Sequence, residues 1–125
     1  CGTDILRLEK TPTGTRAVAT DGSEREFDLV LYATGRRPNT AGLGLEALGL
    51  KLGRQNELLV DRYSQTAVPS VVAVGDVTGR INLTPVAIRE GHAFADTVFG
   101  GRPTAFDHEL VASAVFTQPE MGSVG

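Results

Sequence analysis

Tryptophan is missing from this chain of 125 residues, cysteine occurs once, and the apolar runs are all short. Each absence excludes something. Cys1 has no partner for an intrachain disulfide and cannot form a Cys-x-x-Cys metal site, which fits a reducing, cytoplasmic setting. A bilayer-spanning helix needs about 20 mostly apolar residues. No such run is present, and no charged-then-apolar leader opens the sequence. Positive charge is scarce as well: 12 Lys and Arg stand against 15 Asp and Glu, for a net charge of -3. The basic residues cluster no further than the pair Arg36–Arg37. This balance argues against nucleic-acid and membrane-surface partners.

What remains is ordinary for a globular protein, with 41% hydrophobic and 22% charged residues, enough for one modest domain. Fifteen glycines point to many tight turns or close backbone approaches to a ligand.

Residues 3–33 read as a small antiparallel unit. "TDILRLEK" and "TRAVAT" alternate apolar and polar residues, "DLVLYAT" is continuously apolar, and Gly14 and Asp21–Glu24 supply turns. The run Leu29–Ala33 has the pattern of a strand buried on both faces, as in a parallel sheet. Beyond "TGRRPN", the glycine-rich "GLGLEALGLKLG" predicts a loop with one helical turn at Leu45–Leu48. Two short β-runs are expected at Leu58–Val60 and Val71–Val74, then a helix over Thr84–Phe99. That helix carries Val86, Ala87, Phe94, Ala95 and Val98 on its apolar stripe, with Arg89, Glu90 and Asp96 opposite. A final strand, Val111–Phe116, leads to a turn at Gln118–Pro119 and a last segment with no visible partner.

The chemistry concentrates in "VVAVGDVTGRINLTPVAIREG", Val71–Gly91. Ligands of open α/β sheets sit beyond the carboxyl ends of strands. There Gly75 admits a close approach, and Asp76 accepts hydrogen bonds from sugar-like hydroxyls. An Asp-led turn after a strand is the plainer alternative. Thr84 is placed to cap the helix and Pro85 to occupy its first position, leaving an N-terminus with unpaired amides and partial positive charge. Such an end is a ready anion site, although taken alone a well-capped helix with no ligand is the plainer reading. The two features lie only seven residues apart, Val77 to Leu83. Together they fit a ligand with a polyol on one side and negative charge on the other, as in reduced flavin.

Four segments resemble one family in the right order. "TAVPSVVAVGD" (Thr66–Asp76) resembles the second flavin-binding signature of the class I pyridine-nucleotide-disulfide oxidoreductases. "YATGRRPN" (Tyr32–Asn39) resembles the return from their NAD(P)H domain to their FAD domain, and "VASAVFTQPEMGSVG" (Val111–Gly125) the start of their dimerisation domain. "LTPVAIREG" (Leu83–Gly91) looks like the glutathione reductase branch, since the lipoamide branch typically carries Ala-His where this chain has Thr84-Pro85.

The resemblance implies an α/β chain that is a fragment of the FAD/NAD(P)-binding two-domain Rossmann-like fold. Residues 1–38 would end the NAD(P)H-binding domain with its β-meander, 39–104 would form the second part of the FAD domain, and 105–125 would begin the α+β dimerisation domain. It implies that Asp76, beside Gly75, holds the ribityl hydroxyls of FAD. The backbone at Leu83 and Thr84 would face the flavin pyrimidine edge. Asn82 and Ala114 would lie near the nicotinamide of NADPH, with Gly35 and Arg36 near the cofactor phosphates. Thr84 and His92 would be substrate contacts, His92 standing where some members use an arginine to touch glutathione. A solvated surface histidine is the alternative there.

The implied activity is electron transfer from NADPH through FAD and a redox disulfide to glutathione disulfide, in a homodimer. The alternatives are a relative acting on trypanothione or mercuric ion, and a non-catalytic FAD-binding module. The CxxxxC pair, the GxGxxG fingerprints and the catalytic His-Pro-Thr…Glu motif of the family do not occur in these residues. The expectation is therefore an internal fragment of a longer enzyme that alone carries no catalytic residue and binds little FAD. Its exposed β-edges would favour association or swapping.

Overall fold

The computed structural model describes residues 2–125. Cys1 lies outside the described residues, and with it any reading of that thiol. Contacts divide the chain into two compact units, Cys1–Gly35 and Arg36–Gly125.

The first unit is an antiparallel meander of β1 (Ile5–Lys10), β2 (Thr15–Ala19) and β3 (Glu24–Phe27), in that spatial order. In the central strand, Ala17 and Val18 are buried, one on each face. Gly14 serves a close approach: a Cβ there would sit 2.4 Å from the Phe27 carbonyl oxygen. At the same corner the Glu26 carboxylate accepts hydrogen bonds from the hydroxyls of Thr11 and Thr13. These two hydroxyls hold the Glu26 carboxyl below its ordinary range.

The third strand is not where the apolar run predicts it. Asp21–Gly22 closes the chain so tightly that Glu24–Phe27 already occupies the pairing positions along β2, from Val18↔Glu24 to Thr15↔Phe27. Leu29–Ala33 forms no strand, and Leu29 and Leu31 are 83% and 85% exposed. Burial on both faces requires paired neighbours and covering layers, which no described residue supplies to this run.

In the second unit, Leu45, Leu50, Leu58 and Ala73 form the core, with Leu52, Val60, Val68, Val71 and Val77 packed against it. The expected helical turn is a 3₁₀ turn, Glu46–Leu48, closed by Gly49 in the left-handed region (φ 72°). The two expected β-runs reduce to isolated bridges, Leu52↔Leu58 and Gln65↔Val72. Their backbone groups bond singly to other stretches instead, Leu58 N–H to the Val77 carbonyl and Ala73 N–H to that of Ser64, so no ladder extends.

Helix α1 (Thr84–Val98) ends one residue before the prediction. Its buried line is Val86, Glu90 and Ala93, whereas Ala95 and Val98 are exposed. Glu90, expected on the solvent side, is 2% exposed. After α1, Thr97 Oγ1 accepts from Thr104 N–H at 2.9 Å and draws the chain back along the helix. The last segment does have a partner: β4 (Ser113–Val115) pairs antiparallel with β5 (Met121–Ser123).

Candidate cofactor-binding site

Val71–Val74 runs extended into a 3₁₀ turn, Gly75–Thr78, and a short loop then enters α1. Gly75 adopts φ 74°, and a Cβ there would meet the Ala87 Cβ at 3.0 Å. The turn therefore packs its backbone directly on α1. Thr78 Oγ1 donates to the Gly75 carbonyl at 2.8 Å, and Gly79 N–H donates to the Asp76 carbonyl at 3.0 Å.

These bonds leave the Asp76 side chain facing out. It is exposed and lines a cavity of about 270 Å³ together with Arg36, Arg37, Pro38, Asn39, Val77 and Asn82. The cavity is thus bordered by one carboxylate, two guanidinium-bearing residues and two primary amides.

The helix entrance differs from the sequence expectation by one residue. Leu83 is the N-cap, extended at φ -130° and ψ 133°, and its carbonyl accepts the first helical bond from Ala87 N–H. Thr84 is already the first helical residue, and no side chain caps this end. The cause is geometric: the hydrogen-bond series starts at Leu83, so the Thr84 hydroxyl is past the position from which a cap reaches N2 or N3 amides. The N-terminal amides of α1 remain without a side-chain acceptor, immediately after Asn82.

The structure brings together Asp76, Asn82 and Arg36 of the expected residues, with Gly75, Leu83 and Thr84 adjoining them in the chain. Ala114 is exposed on β4, paired with Gly122, and does not line this cavity. His92 is exposed on α1. Gly35 closes the first unit in the left-handed region at φ 101°.

Sequence reasoning missed the residues that hold the turn. Glu90 Oε2 accepts from Gly75 N–H at 2.5 Å, and its Oε1 lies 2.9 Å from Arg80 Nη2 and 2.6 Å from His108 Nε2. Arg80 also donates from Nη2 to Ser64 Oγ at 3.0 Å and from Nε to Thr78 Oγ1 at 3.2 Å. A signal was present: Glu90 stands four residues after Val86 and three before Ala93, on the helical line both define. Arg37, Pro38 and Asn39, which also line the cavity, lie within the segment "YATGRRPN".

Among the described residues, no group of three acidic, histidine or cysteine side chains is arranged to hold a metal ion. No described helix is long and apolar enough to cross a membrane.

Comparison with known proteins agrees with the motif resemblance. Residues 1–91 match the family model described as pyridine nucleotide-disulphide oxidoreductase. The chain is 52% identical over 124 residues to glutathione reductase of Burkholderia cepacia, covering 99% of this chain and 28% of that protein. It is 45% identical over 131 residues to trypanothione reductase of Trypanosoma congolense, covering 99% of this chain and 27% of that protein. Among solved structures, LpdA of Mycobacterium tuberculosis superposes with a TM-score of 0.88 at 37% identity, over 98% of this chain and 27% of that one. The HOCl-induced flavoprotein disulfide reductase RclA of Escherichia coli gives 0.84 at 26% identity, over 98% of this chain and 28% of that one. The chain thus spans little more than a quarter of the length of these relatives, and its mixed α/β architecture is part of the fold they share. By the family model covering Cys1 to Gly91 and this whole-chain identity, the chain belongs to the pyridine nucleotide-disulphide oxidoreductases.

Proposed function

We propose that the protein to which these residues belong is an FAD-dependent, NADPH-driven reductase of glutathione disulfide, and that this chain supplies one side of its flavin site. One observation carries the reading: Asp76 and Asn82 border a single cavity beside a helix N-terminus that no side chain caps. The residues fit the cofactor. An outward carboxylate can accept from the ribityl hydroxyls, and amides at the start of α1 can hold negative charge against the flavin pyrimidine edge. Arg36 and Arg37 offer planar donors suited to phosphate.

FAD held there would supply the electron-pair transfer between NADPH and a redox disulfide. This chain's residues position and polarise: Asp76 orients the polyol, the backbone at Leu83 and Thr84 favours charge on the ring, and Asn82 and Ala114 border the nicotinamide. Gly35 lies with Arg36 near the cofactor phosphates, and Thr84 and His92 approach the disulfide substrate. Residues 1–38, 39–104 and 105–125 then belong to the NAD(P)H, FAD and dimerisation domains of a cytoplasmic homodimer. The redox cysteine pair is supplied from outside these 125 residues, which contain only Cys1.

The similarity to a trypanothione reductase keeps one second reading, a relative reducing a glutathione conjugate. The test is steady-state reduction, by the full-length protein with NADPH, of glutathione disulfide and of trypanothione disulfide. Turnover of the former supports the proposal, and turnover of the latter alone transfers it to the second reading. A full-length protein that binds no FAD sinks both. In a protein that does bind, Asp76→Ala should raise the Kd for FAD by about tenfold or more, through loss of charge-assisted hydrogen bonds.

A further inference from the structure

We infer that Glu90 is a positioning residue for the Asp76 turn, and that His108 ties this positioning to the segment beyond α1. The inference rests on the reading of Asp76 as a flavin ligand, but its structural part stands on the turn itself.

A closed ring of polar contacts surrounds Gly75. Its N–H is held by Glu90 Oε2 and its carbonyl by Thr78 Oγ1. Arg80 bonds Thr78 Oγ1 through Nε and reaches Glu90 Oε1 through Nη2, which completes the circuit. With both backbone groups of Gly75 tied, the torsions on either side of its Cα are fixed. The direction in which Asp76 leaves the backbone follows from them. Asp76 takes no part in the ring, so its carboxylate stays available at the cavity.

Glu90 is the member on which the others converge. Its side chain is 1% exposed, and a carboxylate taken out of water is tolerated only when donors surround it. Three donors do so: a backbone amide, a guanidinium and an imidazole. With Glu90 Oε1 as the acceptor of this contact, the shared hydrogen toward His108 sits on Nε2. His108 comes from the chain after α1, is braced edge-on by Phe106 with ring centroids 4.9 Å apart, and does not line the Asp76 cavity. It therefore acts on the turn only through Glu90. Undocking His108 withdraws one donor from the buried carboxylate and loosens the grip on Gly75.

The experiment uses full-length protein stripped of flavin, with FAD as the probe. Amide hydrogen exchange at Gly75–Gly79 is followed without flavin, and the FAD Kd is measured by flavin fluorescence. Glu90→Gln should raise the Kd about tenfold and accelerate exchange at Gly75 to a similar degree, since one charge-assisted bond is lost. His108→Ala should move both readouts the same way by a smaller factor. His108→Gln, which keeps a donor for the carboxylate, should restore them, and Glu90→Gln combined with His108→Ala should be no worse than Glu90→Gln alone.

Unchanged Kd and unchanged exchange in Glu90→Gln overturn the inference. So does an equal effect of His108→Ala and His108→Gln, which marks a packing role only. If Glu90→Gln does not fold, the two His108 variants decide. A wild-type protein that binds no FAD overturns the proposed function, while the exchange readout still decides the ring.

Discussion

Glu26 in the meander and Glu90 on α1 are the same residue type in opposite circumstances. Glu26 is exposed and, from β3, accepts from two hydroxyls of the turn between β1 and β2. Glu90 is buried and gathers donors from three separate stretches of chain, at Gly75, Arg80 and His108. The first carboxylate braces a surface turn that water would solvate almost as well. The second joins segments that would otherwise part, and no water replaces its partners. Exposed hydrogen bonds tune a structure, whereas a buried convergent charge specifies one.

The largest way to strain this contrast is Glu90→Ala. Removing the acceptor strands Arg80 and the Gly75 amide in a desolvated site, and breaking such a buried pair typically costs about 3–5 kcal/mol. A thermal melt of the full-length protein should show a clear fall in Tm, with the Gly75–Thr78 turn the first region to lose exchange protection. An unchanged melt would mean that Glu90 is no more important than Glu26.

Gly14→Ala is expected to come next, and it acts on the meander alone. The new methyl would meet the Phe27 carbonyl oxygen at 2.4 Å, so β3 must shift away from the first turn. Overpacking of this kind costs about 1–3 kcal/mol. Exchange at β2–β3 amides should rise while the Asp76 turn keeps its protection. A matching loss at Asp76 would erase the distinction between the two regions.

The smallest effect is acid titration of the Glu26 corner. The Thr11 and Thr13 hydroxyls bond the ionised form, so its folded-state pKa is depressed. Its stabilising contribution is complete above the ordinary glutamate range and disappears as pH falls through the lower folded value. Chemical shifts of Thr11 and Thr13 should follow that titration, and Glu26→Gln should remove it. A midpoint at or above the ordinary glutamate value would contradict the hydroxyl contacts.

Much of this was legible in the chain itself. The alternation of "TDILRLEK" and "TRAVAT" located β1 and β2, and the periodic stretch after Thr84 located α1 to within one residue at its end. The juxtaposition of Asp76 with the entrance of α1 followed from seven intervening residues, and Asn82 and Arg36 do border the same cavity as Asp76. Leu29–Ala33 misled because an apolar run reports the desire for burial and not the presence of a partner; the exposed Leu29 and Leu31 remain unsatisfied among the described residues. The short runs at Leu58 and Val71 misled for a related reason, since their β-propensity is spent on single bridges and loop bonds.

By itself the sequence determined the family motifs through their residue identities, and the helix, the first hairpin and the candidacy of Asp76 through periodicity or spacing along the chain. Only the tertiary structure decided that Glu90 lies inside and that Leu83 is the cap of α1. It also decided that Arg80 and His108 meet Glu90 across 10 and 18 residues of chain. A charge is identical on paper whether solvated or buried, and its role is set by the donors that folding brings within hydrogen-bond reach.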